Sequence, residues 1–184
     1  MGLLDTLLGR SRPKPANLDA LFAVPDAALT LESAAGFRPT GVGSVCFRAA
    51  EGAAATAATT EGQALLGRGE QVRDDYGFTW LVVRHDPGDV PGLVTDLHAA
   101  NATLQDSGFG PLLLCSIVCF GDEAGRRLGL VYLYKRGTFY PFAPLGGEKR
   151  DTALELQVRG LLANDLKVEP DLARWFPVWG APGL

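Results

Sequence analysis

The order of hydrophobic patterns along the chain predicts an α+β fold. The expected architecture is an antiparallel sheet of about five to six strands with helices packed on it, in the order α-β-β-β-α-β-β-α, preceded by an N-terminal amphipathic arm. Three observations carry this. Residues 112–120 and 128–134 are apolar runs joined by Gly121-Asp122-Glu123-Ala124-Gly125, a hairpin by loop length and glycine content. Two stretches with helical periodicity open at the capping residues Asp89 and Asp151. The strand patterns come in groups, which fits hairpins on an antiparallel sheet better than a doubly wound parallel sheet. The 184 residues match one domain in size, and 47% hydrophobic with 21% charged residues excludes wholesale disorder. A core of that size needs no disulfide or metal.

The first sixteen residues stand apart. Leu3, Leu4, Leu7 and Leu8 share one face of a short helix, Arg10, Arg12 and Lys14 follow, and Pro13 and Pro15 break the helix. Residues 1–16 therefore read as an amphipathic arm with a proline hinge, and residues 17–184 as a single α+β domain with an aromatic C-terminal tail. The arm is either a chain end resting on its own domain or an anchor for a partner helix or a membrane surface, through residues 1–10. Four leucines recover about 1.5–3 kcal/mol each even when fully buried, so such an anchor binds weakly alone. Met1-Gly2-Leu3-Leu4-Asp5-Thr6 also matches the short N-myristoylation pattern.

Asn17 is placed to cap a short helix reaching Phe22. Residues 29–31 and 42–48 read as extended, separated by turn residues at Gly36, Pro39 and Gly41. The alanine-rich stretch 53–66 reads as helix or as an irregular excursion. Residues 78–83 are apolar on both alternating faces, which predicts a central strand covered on both sides. The helix from Asp89 to Gly108 carries Val90, Leu93, Val94, Leu97 and Leu104 as its apolar stripe. A last helix from Asp151 to Asn164 buries Leu154, Val158, Leu161 and Leu162 and pairs Glu155 with Arg159 on its outer face. The tail that follows is rich in Pro, Trp and Gly, and Trp175 and Trp179 both need a packing site.

The search for chemistry nominates no catalytic, cofactor-binding or metal-ligating residue. Seventeen basic against 21 acidic residues leave a charge of −4, which argues against a general nucleic-acid binder. Cys115 and Cys119, four residues apart on one predicted strand, have Cα atoms about 13 Å apart, too far to share an ion. With Cys46 they read as buried thiols in a reducing compartment. His85 and His98 are the only imidazoles, and neither sits in a nucleophile or zinc motif. Gly41-Val42-Gly43-Ser44 fails the dinucleotide fingerprint because Cys46 occupies the third glycine position and a strand pattern follows. Asp74-Asp75 and Asp122-Glu123 read as solvated turns. Tyr132, Tyr134 and Phe139, with Tyr140 and Phe142, are core if the helix opened by Asp151 covers them, and a partner-binding groove if it does not. No run approaches the ~20 apolar residues of a membrane span, so the protein is expected to be soluble or peripheral.

Several segments together are similar to a known family. They include the opening Met1-Gly2-Leu3-Leu4-Asp5-Thr6-Leu7-Leu8-Gly9-Arg10, then Tyr76-Gly77-Phe78-Thr79-Trp80-Leu81-Val82-Val83 and Phe139-Tyr140-Pro141-Phe142-Ala143-Pro144. The ending Arg174-Trp175-Phe176-Pro177-Val178-Trp179-Gly180 adds to them. The chain resembles the PspA-associated protein PspAB family of high-GC Gram-positive bacteria and haloarchaea. The order of elements is also similar to the YbjN and type III secretion chaperone-like folds. The family resemblance implies a cytoplasmic, non-enzymatic accessory of a PspA-type envelope-stress response that acts through protein contacts, with the arm adding a peripheral contact at the inner membrane. It implies as partners a PspA-family coiled coil or an HtpX-type membrane metalloprotease; the exclusion of nucleic acid rests on the acidic charge balance. From the residues themselves, the candidate partner-binding positions are Leu3, Leu4, Leu7, Leu8, Tyr132, Tyr134, Phe139, Trp175 and Trp179, with a chaperone-like peptide-binding module as the alternative.

Overall fold

The computed structural model describes residues 16–48 and 70–184. The leucine arm with Leu3, Leu4, Leu7 and Leu8, and the alanine-rich stretch 53–66, lie outside the described residues. Six strands make the main sheet: β1 (Arg38–Arg48), β2 (Glu70–Arg73), β3 (Phe78–Arg84), β4 (Leu113–Gly121), β5 (Arg127–Leu133) and β6 (Thr138–Phe142). Their spatial order is β2-β3-β1-β4-β5-β6, with every neighbouring pair antiparallel. The predicted hairpin is the β4–β5 connection, and β6 extends it into a meander. A two-stranded ribbon, β7 (Pro144–Gly146) with β8 (Lys149–Arg150), follows β6. This is the α+β, antiparallel architecture that the sequence predicts.

One face of the sheet is closed by helices α1 (Val24–Ala35), α2 (Val90–Leu104) and α3 (Thr152–Leu161). All five predicted stripe residues of α2 are buried. Asp89 and Asp151 cap α2 and α3 as expected, accepting from the amides of Gly92 and Leu154 at 3.0 Å. Gly43 lets α2 close on β1: a Cβ there would lie 2.9 Å from Leu97 Cδ1.

The opposite face carries a second apolar cluster that includes Trp80, Val82, Ile117, Val131 and Phe142. Its cover is not a helix but the C-terminal tail, through Trp175, Val178, Trp179, Ala181 and Leu184. Gly129 makes room for the chain end, since a Cβ there would lie 2.8 Å from Leu184 Cδ1. Cover on both sides explains why β3 is buried without interruption from Thr79 to Val83.

Local readings differ from the structure in four places. Residues 29–31 are helical, inside α1, where the Leu-Thr-Leu alternation imitates a strand. The longer spacing Val24, Ala27, Ala28, Leu31 is helical and buried, and Gly36 at φ 71 ends the helix by donating its N–H to the carbonyls of Glu32 and Leu31. Asn17 makes no side-chain cap; its carbonyl accepts instead from the Ala20 N–H and the Tyr132 hydroxyl. Glu155 does not face outward to Arg159. It is buried, accepting from the Ala143 N–H and from Arg150 Nε, each at 2.9 Å. The two predicted helices also end early, α2 at Leu104 before a wider turn containing Gly108, and α3 at Leu161, which is half-buried.

Candidate binding cleft

The two covers differ in continuity. The tail reaches the sheet at separate points and leaves a cleft of about 670 Å³ between itself and the strands. Strand alternation decides which side chains line it. Cys46 and Arg48 of β1, Phe78 and Trp80 of β3, Cys115 of β4 and Leu133 of β5 all point to the tail side. Tyr140 contributes from β6, and Phe176, Pro177, Val178 and Trp179 form the outer wall. Trp80, Tyr140 and the two cysteines are buried and make the floor.

The polar atoms inside this apolar space are already partnered. Asp74 Oδ2 accepts from Trp80 Nε1 at 2.8 Å, and its other oxygen accepts from the amides of Tyr76 and Phe78 at 2.9 Å each. The Tyr140 hydroxyl donates to the Phe176 carbonyl at 2.8 Å, and burial holds its pKa well above the usual tyrosine range. Cys46 and Cys115 are register partners on β1 and β4. Hydrogen bonding to Cys115, reinforced by burial, pushes the Cys46 thiol up, so that thiol stays protonated at neutral pH. Cys119, farther along β4, is pushed up to about 12 by burial. All three cysteines are free, as the sequence reading expects.

The tail is held by a polar latch beside the cleft. Glu169 is fully buried and accepts from Thr138 Oγ1 at 2.7 Å and from Arg136 Nε at 2.6 Å. Burial raises its pKa, but these donors outweigh it and hold Glu169 below the usual carboxylate range. The Glu169 carbonyl receives Trp175 Nε1 at 3.1 Å, and the Trp175 carbonyl receives Arg150 Nη1 at 2.7 Å. Trp175 stacks on Tyr140 with centroids 5.9 Å apart.

Charge concentrates at the rim. Among the described residues, four cations, Arg48, Lys135, Arg136 and Arg174, line the cleft against one carboxylate, Asp74. Arg136 is engaged by Glu169 and Arg174 by Asp171. Arg48 and Lys135 are exposed and have no ion pair among the described residues. On a chain of net charge −4 this is a local positive rim.

Neither histidine lines the cleft. His85 ties the end of β3 to α2, with Nδ1 2.9 Å from Asp89 and Nε2 2.7 Å from Asp96. The Asp96 and Asp89 carboxylates hold its pKa above the usual histidine range. His98 stacks on Phe22 at 4.9 Å and reaches Asp19 at 3.2 Å. Among the described residues, no group of three or more His, Cys, Asp or Glu is placed to hold a metal, and no helix is long and apolar enough to cross a membrane.

The nominated partner-binding residues separate by sheet face. Tyr132, Tyr134 and Phe139 lie on the helix side, all buried, which is the core alternative for that aromatic run and leaves a partner no surface there. Trp175 is buried in the latch, and Trp179 alone among the described nominees lines the cleft. The cleft residues that sequence reasoning missed include Arg48, Trp80, Leu133, Lys135, Phe176 and Val178. Strand parity links Arg48 to Cys46, and Lys135 lies in the turn that follows Leu133 at the end of β5, but nothing local tells which face the tail covers.

Fold and site together define an antiparallel α+β sheet domain, helical on one face and roofed on the other by its C-terminal segment over an apolar cleft. The chain belongs to the family described as PspA associated protein B, whose model matches residues 1–183. No curated protein and no solved structure matches it.

Proposed function

We propose that this protein is a non-enzymatic accessory of a PspA-type envelope-stress response, an adaptor that works by binding protein partners near the membrane. The observation that supports this reading is the cleft. It is apolar and aromatic-walled, and among the described residues its one carboxylate and both tyrosine hydroxyls are already bonded and no base is paired with a nucleophile. Such a site holds a molecule and has little with which to transform one. The family description, with its association to PspA, supports a protein of that type as the partner. Phe176 and Tyr76, both more than half exposed at the rim, offer the aromatic anchors that protein interfaces favour.

The test is titration of the protein, with and without residues 1–15, against a purified PspA-family coiled coil. Saturable binding with Kd near micromolar, about −8 kcal/mol, is expected. Phe176→Glu should weaken it by about tenfold or more, as for the loss of an interface anchor. Absence of binding by every form would remove the direct PspA contact.

A further inference from the structure

We propose that the cleft is a binding site for an anionic single-chain amphiphile, with its hydrocarbon chain along the sheet floor and its carboxylate or phosphate at Arg48 and Lys135. The inference rests on reading the cleft as a binding site, and it names the ligand class. Size comes first: about 670 Å³ lies within the roughly 300–1,000 Å³ of ordinary small-molecule sites.

Hydrogen-bonding capacity then selects the occupant. The floor is a sheet face, not an edge, so its backbone groups are spent on neighbouring strands and cannot pair with an added strand. Asp74, Trp80 and Tyr140 are each satisfied within the protein. An extended peptide laid along the floor would bury amides with no partner, which leaves a protein partner the rim aromatics Phe176 and Tyr76, whereas a hydrocarbon chain has no such groups to satisfy. The buried side chains of Cys46 and Cys115, opposite each other on β1 and β4, add to the apolar floor.

The rim supplies the other half of the amphiphile. β1 ends at Arg48 beside the start of β4, with Phe47 opposite Leu113. β5 ends on the other side of that same β4 start, where the Tyr134 N–H bonds the Leu114 carbonyl just before Lys135. The topology therefore carries both cations to one end of the sheet, at the mouth of an apolar space. They are exposed and have no carboxylate partner among the described residues, so an anionic head has two charges to meet there without displacing an ion pair.

The experiment uses the full-length protein and reads tryptophan fluorescence, since Trp80 and Trp179 both line the cleft. The probes are palmitate and lysophosphatidylglycerol below their aggregation concentrations, with hexadecanol as the neutral analogue. Native mass spectrometry gives the stoichiometry. Saturable 1:1 binding of at least one anion is expected, with hexadecanol about tenfold weaker or more. Binding of palmitate alone assigns a free fatty carboxylate, and binding of lysophosphatidylglycerol alone assigns a phospholipid head; either supports the site. The double variant Arg48→Glu with Lys135→Glu should lose about tenfold for the anion and little for hexadecanol. Val178→Trp and, independently, Leu133→Trp should fill the cleft and abolish binding of both. Equal affinity for palmitate and hexadecanol, anion binding indifferent to the charge reversal, or no saturable binding overturns the proposal. Retained binding of a PspA-family coiled coil alongside loss of all amphiphile binding would sink the ligand and leave the adaptor; the reverse would sink the adaptor alone.

Discussion

The two faces of the sheet bury comparable side chains under covers of different kinds. On the helix side, α1, α2 and α3 present periodic stripes, so each turn adds another apolar residue and the seal is continuous. On the tail side, an irregular segment rich in Pro and Gly touches down through Trp175, Val178, Trp179, Ala181 and Leu184, and a cleft remains between those points. A regular element excludes water along its whole length, whereas a pinned loop covers only where its anchors land. That is why the cleft lies under the tail.

The comparison can be broken most forcefully at its helical half. Leu97→Ala, at a fully buried position on α2, should cost about 2–5 kcal/mol in chemical denaturation, while Leu133→Ala at the cleft should cost about 1 kcal/mol or less because that side chain already borders open space. Equal losses would mean that the tail side is as tightly packed as the helix side. Next comes Glu155→Gln, which removes the charged partner of Arg150. About 2–3 kcal/mol is expected, below the usual figure for a broken buried pair because Arg150 keeps some solvent contact. The same change loosens the Arg150 hold on the Trp175 carbonyl, so tryptophan fluorescence should report it too.

The smallest effect is one of pH, and it has opposite sign on the two faces. His85, clamped to α2 by Asp96 and Asp89, has its folded pKa raised. Its contribution is therefore complete below about pH 6.5, the unfolded value, and is lost as pH rises through the folded pKa. The amount should be under about 1 kcal/mol for so solvated a pair. Glu169 in the tail latch has its folded pKa lowered, so its contribution is present above the ordinary glutamate value and is lost as pH falls through the folded one. Denaturation midpoints across the neutral to alkaline range should sag slightly in the parent protein and stay flat in His85→Gln. As pH falls below about 4.5, the ordinary glutamate value, a tryptophan fluorescence change should appear in the parent and be absent from Glu169→Gln. A single pH trend shared by both readouts would show that the faces are not separately held.

Elements announced by short-range chemistry were legible. The β4–β5 hairpin follows from its glycine-flanked five-residue loop, and α2 and α3 follow from Asp89 and Asp151 at their caps. Where two local patterns compete, the longer one wins, as in α1, where Leu29-Thr30-Leu31 reads as strand over three residues and as helix over eight. Glu155 was misread because an exposed i, i+4 partner is visible in the sequence while the Ala143 amide and Arg150, supplied by the turn into α3, are not.

By itself, then, the sequence determined the α+β class, the antiparallel pairing around β4 and β5, the capped helices and the burial of the three thiols, because each depends on periodicity or on residues a few positions apart. Tertiary structure alone decided that Tyr132 and Phe139 are core, that Trp179 is wall, and that Cys46, Trp80, Leu133 and Val178 share one space. Alternation along a strand sorts side chains into two sets. Only the path of the chain between residues 166 and 184 settles which set lies under helices and which under a tail that leaves room for a ligand.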